Sequence, residues 1–350
     1  MKLCKVSEIT GNEKLARPIM TANYQELLAA GTILKPEYVP KILQLGITEV
    51  FIEDAKLSTA QVVILREDVE DLFKEKVRSV MERHIYNDNA SLEELSKTAD
   101  GIISNILSND ELVEQIYDIR ERNADIYEHC ISVCSLAVLV AIKLKVDNEV
   151  IHDIGVASLF HDIGLRYLDF NYANQLISDL DEKKLNEYRK HPAYAYSSLE
   201  KESWISSRAK TMILQHHERK DGSGYPLHVK DMETESQILQ VCDTFDEMIC
   251  GIGCNRARVY EAVEFMKVSK NVYFDEETVN TLLDFTAVYP SGTIVVLNTK
   301  EMGMVLRQNR QFPERPVLRI IKDAEGKTLD EEVICDLLEV RNVYIEKVLM

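Results

Sequence analysis

The feature that most constrains the fold is a pair of adjacent histidines followed at once by a loop that cannot be helical. His216 and His217 end a helical pattern that begins near the serines at 206–207, either of which is a suitable N-cap. The loop 222–226 contains two glycines and a proline, so the backbone must turn there. Neighbouring side chains diverge by about 100° within a helix. Both imidazoles can therefore face one point only at a helix end. A solvated helix terminus is the alternative for this stretch taken alone.

A His-Asp pair ends another apolar helical segment, and the chain contains that dipeptide twice. His161-Asp162 follows the apolar run 156–160, and His152-Asp153 lies nine residues before His161-Asp162. At 100° per residue, the two copies point to opposite halves of one helix. Only one of them is expected in a shared site. We assign His161 and Asp162 to the site and His152 to the helix surface or a cap.

The histidine distribution indicates a metal site. Six of the eight histidines lie between residues 129 and 217. Asp243 follows an apolar run that reads as a buried helix, and a buried carboxylate needs a partner. Imidazole and carboxylate together are ligands for zinc, iron or manganese. The alternative is an unrelated surface role for each histidine, and the two pairs at helix ends favour the metal site.

The ordered set of motifs resembles the HD-GYP family over about residues 120–270. It consists of His129, His161-Asp162, His191, His216-His217, Gly224-Tyr225-Pro226 and Asp243. The family is all-helical in its catalytic domain. Its members are metal-dependent phosphodiesterases that hydrolyse cyclic dinucleotides, chiefly cyclic di-GMP. The resemblance implies the same fold and activity here, with two or three iron or manganese ions.

The resemblance also implies which residue does what. One metal would be held by His129, His161, Asp162 and Asp243, and Asp162 would bridge to a second held by His191, His216 and His217. His161 and Asp162 are then the central catalytic residues, around a metal-activated water. Some members add a third metal through a carboxylate one turn before the first histidine, and Asp125 lies four residues before His129. Plain surface charge is the alternative for Asp125.

The phosphate-binding part of the pattern departs from the family. The family usually has lysine after His-Asp-Ile-Gly, whereas this chain has Leu165. Candidate substrate contacts are Arg166, Tyr225, Arg256 and Arg258, the last two lying a turn beyond the expected basic stretch. A protein that keeps its metals but acts as a cyclic-dinucleotide sensor or partner-binding module is therefore the main alternative. A phosphohydrolase for another phosphoester is the third hypothesis.

The composition limits the kinds of partner that the protein is expected to bind. The net charge of −18 argues against bulk nucleic-acid binding and against docking on anionic lipid. The longest apolar stretch, 131–142, is interrupted by serines and is typical of a core helix rather than a membrane span. Seven cysteines without a CxxC pair suggest reduced thiols and a cytoplasmic protein.

The predicted fold class is mainly α, with an HD-superfamily helical bundle as its core. The predicted divisions are a small α+β module (1–60), a helical connector (61–110), the metal-binding domain (111–285) and a β-rich extension (286–350). Strands are expected at 6–9, 31–34 and 49–52, and again at 293–297, 304–306 and 317–321. The amphipathic helix around 68–80 is expected to pack on the core, and a homodimer contact is the alternative.

Overall fold

The computed structural model describes residues 2–16, 19–20, 26–29, 31–52, 62–85, 92–108, 115–119, 121–122, 124–310 and 312–349. The chain divides into two compact units. One is Val62–Pro290, and the other combines Met1–Gln61 with Ser291–Met350. The four-part division of the chain stays a prediction, whereas the fold class is confirmed: a mainly helical core with a small α+β module and a β-rich C-terminal region.

The N-terminal module has short strands and one helix. Its elements are β1 (Lys2–Lys5), β2 (Ile19–Met20), β3 (Glu26–Leu28), α1 (Val39–Gln44) and β4 (Glu49–Ile52). Strand β1 pairs antiparallel with β4, and β2 pairs with β3. The strand predicted at 49–52 is confirmed. The strand predicted at 6–9 is wrong, because Val6–Glu8 is a 3-10 turn that buries Val6 after β1 has ended.

The described secondary structure of the second unit is mainly α-helical. Its helices are α2 (Glu67–Ile85), α3 (Glu93–Leu107), α4 (Ile126–Lys143), α5 (Asn148–Phe160), α6 (Glu182–Tyr188), α7 (His191–Leu199), α8 (Ser207–Gln215), α9 (Thr234–Cys250), α10 (Val259–Ser269) and α11 (Glu276–Asp284). As predicted, Ser206 caps α8, its hydroxyl accepting from the backbone N–H of Ala209 at 3.0 Å. Val77, Val80 and Met81 of α2 are fully buried in the core of this unit, which is the packing expected for that helix.

Helix α4 is the central helix of this unit. It packs against α5 and α9, and nearly every side chain from Cys130 to Ala141 is buried. By length and composition alone α4 could cross a membrane, but 72% of that stretch is buried inside the protein. It is therefore the core helix that the sequence predicts.

The C-terminal residues form an antiparallel five-stranded sheet. Its strands are β5 (Ile294–Leu297), β6 (Met302–Arg307), β7 (Val317–Lys322), β8 (Thr328–Asp336) and β9 (Ile345–Leu349), in the order β8-β7-β6-β5-β9. The first three were predicted. Strand β8 carries four acidic residues, which hide the alternation by which a half-buried strand is recognised.

Candidate metal centre

Helix ends bring the predicted ligands together in the helical unit. His129 lies in the first turn of α4, His161 follows α5, His191 begins α7, His216-His217 follow α8, and Asp243 lies within α9. All of these side chains are buried, as is Asp162. A helix end lets consecutive residues leave the helical path, which is why neighbouring side chains can converge here.

Asp162 lies between two groups of histidines. Its Oδ2 is 3.5 Å from Nε2 of His129 and 3.6 Å from Nε2 of His161. Its Oδ1 is 3.2 Å from Nε2 of His191 and 3.6 Å from Nε2 of His216. The two oxygens of one carboxylate thus face the two groups, which is the bridging arrangement that the sequence analysis expected.

Asp243 joins the first group from the opposite side. Its Oδ1 is 3.1 Å from Nε2 of both His129 and His161. Its Oδ2 faces His217 instead, at 3.8 Å from Nδ1. Asp243 therefore also divides its two oxygens between neighbouring sets of ligands.

Backbone carbonyls fix which ring nitrogen of three histidines faces the cluster. Nδ1 of His161, His191 and His216 each donates to the carbonyl three residues earlier, at 2.7, 2.8 and 2.7 Å. A carbonyl only accepts, so each Nδ1 carries the hydrogen. In the neutral ring, Nε2 then presents a lone pair to the cluster.

These lone pairs are crowded. Nε2 of His129 and His161 are 3.1 Å apart, and so are Nε2 of His191 and His216. Both oxygens of Asp162 are buried without a hydrogen-bond partner. For a cation about 2.1 Å from each of two nitrogens that are 3.1 Å apart, the N–cation–N angle is about 95°, which is a normal angle in metal coordination. The donor set and the orphaned oxygens therefore fit divalent cations.

Electrostatics within the cluster favour ionised carboxylates. Burial alone would raise the pKa of Asp162, but the imidazoles around it, His161 first and then His191 and His216, hold that pKa well below its usual value. The pKa of Asp243 is lowered for the same kind of reason. Burial lowers the pKa of His216 and, more strongly, that of His217. Burial also disfavours the charged form of His129 and His161, but the neighbouring carboxylates raise the pKa of both rings, so a cation would displace a proton there.

Glu218, which was not predicted as a site residue, fixes the loop that follows His217. The carboxylate of Glu218 is fully buried and accepts the backbone N–H groups of residues 227, 228 and 229 at 2.6, 3.1 and 2.9 Å. A Cβ on Gly224 would lie 2.4 Å from backbone atoms of Glu218 and Arg219, so only glycine fits there. Tyr225 then stacks on His217, with ring centres 4.8 Å apart. Tyr225 thus lines the cluster.

Gly164 brings α7 close to the end of α5. A Cβ at this position would lie 2.0 Å from the carbonyl oxygen of His191. The absence of a side chain therefore lets His191 approach the same oxygen of Asp162 that faces His216.

The structure does not bring Asp125 to the cluster. Asp125 has an extended backbone and is the N-cap of α4, so its distance from His129 is not that of two residues within a helix. Its Oδ1 accepts the backbone N–H groups of Tyr127 and Glu128. Its Oδ2 pairs with Lys74 at 3.1 Å and with Arg78 at 3.3 Å. Its role as a ligand of a third metal stays a prediction.

The three arginines that were predicted to contact substrate each contact another residue of the protein. The guanidinium of Arg166 stacks over the ring of Tyr127, 5.5 Å from its centre. Arg256 donates to the carbonyl of Arg122, and Arg258 pairs with Glu121. These contacts place Arg256 and Arg258 beside residues 121–122, and their role as substrate contacts stays a prediction.

Leu165 is only 1% exposed and packs in an apolar cluster with Tyr188, Cys250 and Ile252. The side chain at the usual lysine position is thus part of a small core. An ammonium in its place would be buried among these side chains, which is costly.

Two further acids on α9 escaped the sequence analysis. Asp246 holds Nδ1 of His129 at 2.7 Å, accepts from Ser132 at 2.6 Å and pairs with buried Arg122. Glu247 lies 3.8 Å from Nε2 of His217, and burial and the charges of Asp243 and Asp162 raise its pKa well above the usual value. Their spacing of three and four residues from Asp243 places them on the same helix face and could have revealed them.

Comparison with known proteins agrees with this geometry. Residues 106–278 match a family model described as an HD domain, and residues 294–350 match one described as a KOW domain associated with HD domain. The cyclic di-GMP phosphodiesterase PA4108 of Pseudomonas aeruginosa is 25% identical over 248 residues, 69% of this chain and 59% of that protein. The cyclic di-GMP phosphodiesterase response regulator RpfG of Xanthomonas campestris pv. campestris is 28% identical over 152 residues, 42% of this chain and 40% of that protein.

A solved structure shows the same fold. Bd1817, an HDG"Y"P protein from Bdellovibrio bacteriovorus, superposes with a TM-score of 0.52 at 18% identity, over 81% of this chain and 98% of that one. The chain spans less than two thirds of either curated relative. The HD-domain match over residues 106–278 and these two curated relatives lead to one conclusion: the chain belongs to the HD superfamily and is of the HD-GYP type.

Proposed function

We propose that this protein is a metal-dependent phosphodiesterase that hydrolyses a cyclic dinucleotide, cyclic di-GMP in the first instance, to the linear dinucleotide or GMP. The observation that carries the proposal is Asp162, whose two oxygens each face a different pair of imidazoles. The names of the two curated relatives support the substrate. We place the activity in the cytoplasm, consistent with seven free cysteines.

The residues have distinct tasks in this proposal. His129, His161 and Asp243 would hold one iron or manganese ion, and His191, His216 and His217 another, with Asp162 between them. Bound divalent cations lower the pKa of a water molecule and neutralise charge on phosphoryl oxygens. The backbone carbonyls behind His161, His191 and His216 keep Nε2 pointed inward, so the ligands are oriented before any cation binds.

Tyr225 would form a wall of the substrate pocket. Its ring stacks on His217 at the edge of the cluster, and Arg189 lies over the same ring, 5.9 Å from its centre. An aromatic face beside a cation suits a planar base of a nucleotide.

One observation favours a second function, that of a cyclic-dinucleotide sensor. Leu165 is buried among Tyr188, Cys250 and Ile252, so a phosphate cannot be held from that position. A protein that binds the nucleotide through its metals but releases no product would fit this arrangement. The two functions differ only in turnover.

The test uses the full chain reconstituted without oxygen with Fe²⁺ or Mn²⁺ and supplied with cyclic di-GMP. We expect linear product from the wild type and none from Asp162→Ala, which removes the shared carboxylate. Asp153→Ala is the matched control, since it alters the other His-Asp pair. Wild-type turnover by Asp162→Ala would refute the proposed site. Tight binding of cyclic di-GMP by the metal-loaded wild type without any product would instead establish the sensor.

A further inference from the structure

Arg189 lies in the short link between helix α6 and the histidine that begins helix α7. It is the C-cap of α6, and its backbone N–H donates to the carbonyl of Leu185 at 3.0 Å. The residue before it, Tyr188, accepts a hydrogen bond from Nδ1 of His191 with its carbonyl oxygen, at 2.8 Å. The backbone of Arg189 is therefore fixed relative to one of the proposed metal ligands.

The ring of Tyr225 places the guanidinium of Arg189 beside the cluster. The guanidinium lies over this ring, 5.9 Å from its centre. The same ring stacks on His217, with centres 4.8 Å apart, and meets the ring of His191 edge-on at 6.3 Å. Arg189 is itself exposed to solvent. A cation that a ligand can reach thus lies one aromatic ring away from two proposed metal ligands.

No carboxylate neutralises this cation among the residues that the structure describes. Glu187 is two residues away, but its carboxylate pairs with Lys190 at 3.1 Å and accepts from the hydroxyl of Tyr194. Within the described part of the chain, the guanidinium of Arg189 contacts the ring of Tyr225 but makes no hydrogen bond and no ion pair. Its five N–H donors are therefore available to a ligand.

The two positions at which the family binds phosphate do not offer such a cation in this chain, and the structure describes both. Leu165, which stands where the family usually has lysine, is buried in an apolar cluster. Arg256 and Arg258, the basic residues after α9, are held by residues 121–122. A positive charge for a phosphate group must therefore come from another part of the chain, and Arg189 has the position and the unused donors to supply it.

We propose that Arg189 binds the second phosphate of the cyclic dinucleotide, the one that is not cleaved. A cyclic dinucleotide carries two phosphodiester groups in one ring, so a second anion stays close to the metal centre while the first is hydrolysed. A guanidinium presents paired N–H donors to two oxygens of one phosphate. Because the protein has a net charge of −18, a local cation favours the binding of such an anion. This inference rests on the proposed function, whose substrate it concerns.

The test compares a ligand that has two phosphates with a ligand that has one. The full chain, reconstituted with Mn²⁺ without oxygen, is assayed with cyclic di-GMP and with bis(p-nitrophenyl) phosphate, a single phosphodiester. Arg189→Ala should raise KM for cyclic di-GMP by about 10–100-fold, the usual effect of losing hydrogen bonds to a charged group. KM for bis(p-nitrophenyl) phosphate should rise much less. Arg189→Lys keeps the charge but not the paired donors, and its KM for cyclic di-GMP should lie between the two.

Lys190→Ala is the matched control, since it removes the neighbouring positive charge, which already pairs with Glu187. It should change neither KM by more than about twofold. The metal content of each variant, measured by elemental analysis, should equal that of the wild type. If the wild type binds cyclic di-GMP without forming product, a calorimetric Kd replaces KM in the same comparison.

Equal KM for cyclic di-GMP in the wild type and Arg189→Ala would overturn the inference and leave the proposed function intact. An equal rise for both ligands, or a loss of metal in Arg189→Ala, would also overturn it, because Arg189 would then support the metal centre instead. The same rise in Lys190→Ala would overturn it in favour of a general effect of surface charge. A wild type that neither binds nor cleaves cyclic di-GMP would overturn the proposed function, and the inference with it.

Discussion

The same four residues, His-Asp-Ile-Gly, occur twice in this protein and do different things. The copy at 152–155 lies within α5, whereas the copy at 161–164 begins where α5 ends. His152 is 39% exposed and contacts Ser96 and Asp100 at the surface. His161 is fully buried and faces Asp243 and His129.

The difference shows that the position of a His-Asp pair relative to the helix end, and not its residue types alone, decides whether the pair can supply ligands. Within α5, Asp153 and His152 point in different directions, and Asp153 pairs with Arg208 at 2.7 Å. At the helix end, the backbone of Asp162 leaves the helical path, and its carboxylate can meet histidines from α4, α7 and α8. A carbonyl of the last turn also orients His161, which has no counterpart at His152.

The largest difference between the two copies is expected when the histidine of each copy is replaced by alanine. His161→Ala should lower metal affinity and any cleavage by more than about 100-fold, since it deletes a direct ligand. His152→Ala should change neither by more than about twofold, because its contacts are exposed. Metal analysis and a cleavage assay on the two variants would check this. Equal loss in both would mean that the comparison is mistaken.

Replacing the glycine of each copy should distinguish the two copies almost as clearly. Gly164→Ala would put a Cβ 2.0 Å from the carbonyl oxygen of His191, and we expect the free energy of unfolding to fall by about 3 kcal/mol or more. Gly155→Ala meets only the side chains of Ile103 and Ala99, at 3.2 and 3.4 Å. Its tight packing is offset by about 1 kcal/mol of helix propensity. Chemical denaturation would measure both, and a stable Gly164→Ala protein would contradict the close approach.

The residue after each glycine is buried and apolar, Val156 in one copy and Leu165 in the other. Leu165→Lys restores the usual family residue but places an ammonium among Tyr188, Cys250 and Ile252. We expect a loss of about 2 kcal/mol in stability and no gain in cleavage. Thermal unfolding and turnover should be measured together. Faster cleavage without loss of stability would show that the lysine can reach substrate from this position.

A smaller effect is expected behind His129. Asp246→Asn keeps the size of the side chain but weakens the contact with Nδ1 of His129 and leaves Arg122 with Glu128 as its remaining carboxylate partner. Metal affinity should fall by about 10–100-fold, the usual effect of losing a residue that orients a ligand. A Mn²⁺ titration would measure it. Glu264→Gln, which changes an exposed acid on α10, is the control, and unchanged affinity in Asp246→Asn would remove Asp246 from the site.

The smallest effect is expected at the surface pair. Asp153→Asn weakens the ion pair with Arg208, a side chain that is 37% exposed, so stability should fall by no more than about 1 kcal/mol. Metal content should not change. Raising the salt concentration should reduce the difference between the variant and the wild type, because solvent-exposed pairs are screened. A loss of metal here would show that the two copies are coupled.

The sequence predicts the core of this molecule because its signals are local. Adjacent histidines before a Gly-Pro loop and a serine cap before α8 act within a few residues, and the structure agrees with them. Helical spacing is a weak guide for Asp125 because this residue lies just outside the helix. The spacing of Asp246 and Glu247 from Asp243 indicates a shared helix face, but their partners His129 and His217 are distant in sequence and appear only in the structure.

The grouping of the chain ends is another feature that sequence patterns do not contain. Residues 1–61 and 291–350 fall into one compact unit although the helical unit separates them along the chain. Local periodicity carries no information on such long-range association. Strand β8 was missed for a simpler reason, since its acidic residues obscure the alternation.

The shared carboxylates have a consequence for how the protein responds to metal supply. Asp162 and Asp243 each direct one oxygen to one set of histidines and the second oxygen to another. Binding of one cation fixes and neutralises a carboxylate that its neighbour also needs, so the positions are thermodynamically linked. A carboxylate that is already neutralised attracts the next cation less strongly, and two cations close together repel each other. Successive cations should therefore bind with decreasing affinity, and the metal content should rise in separate steps as the metal concentration increases.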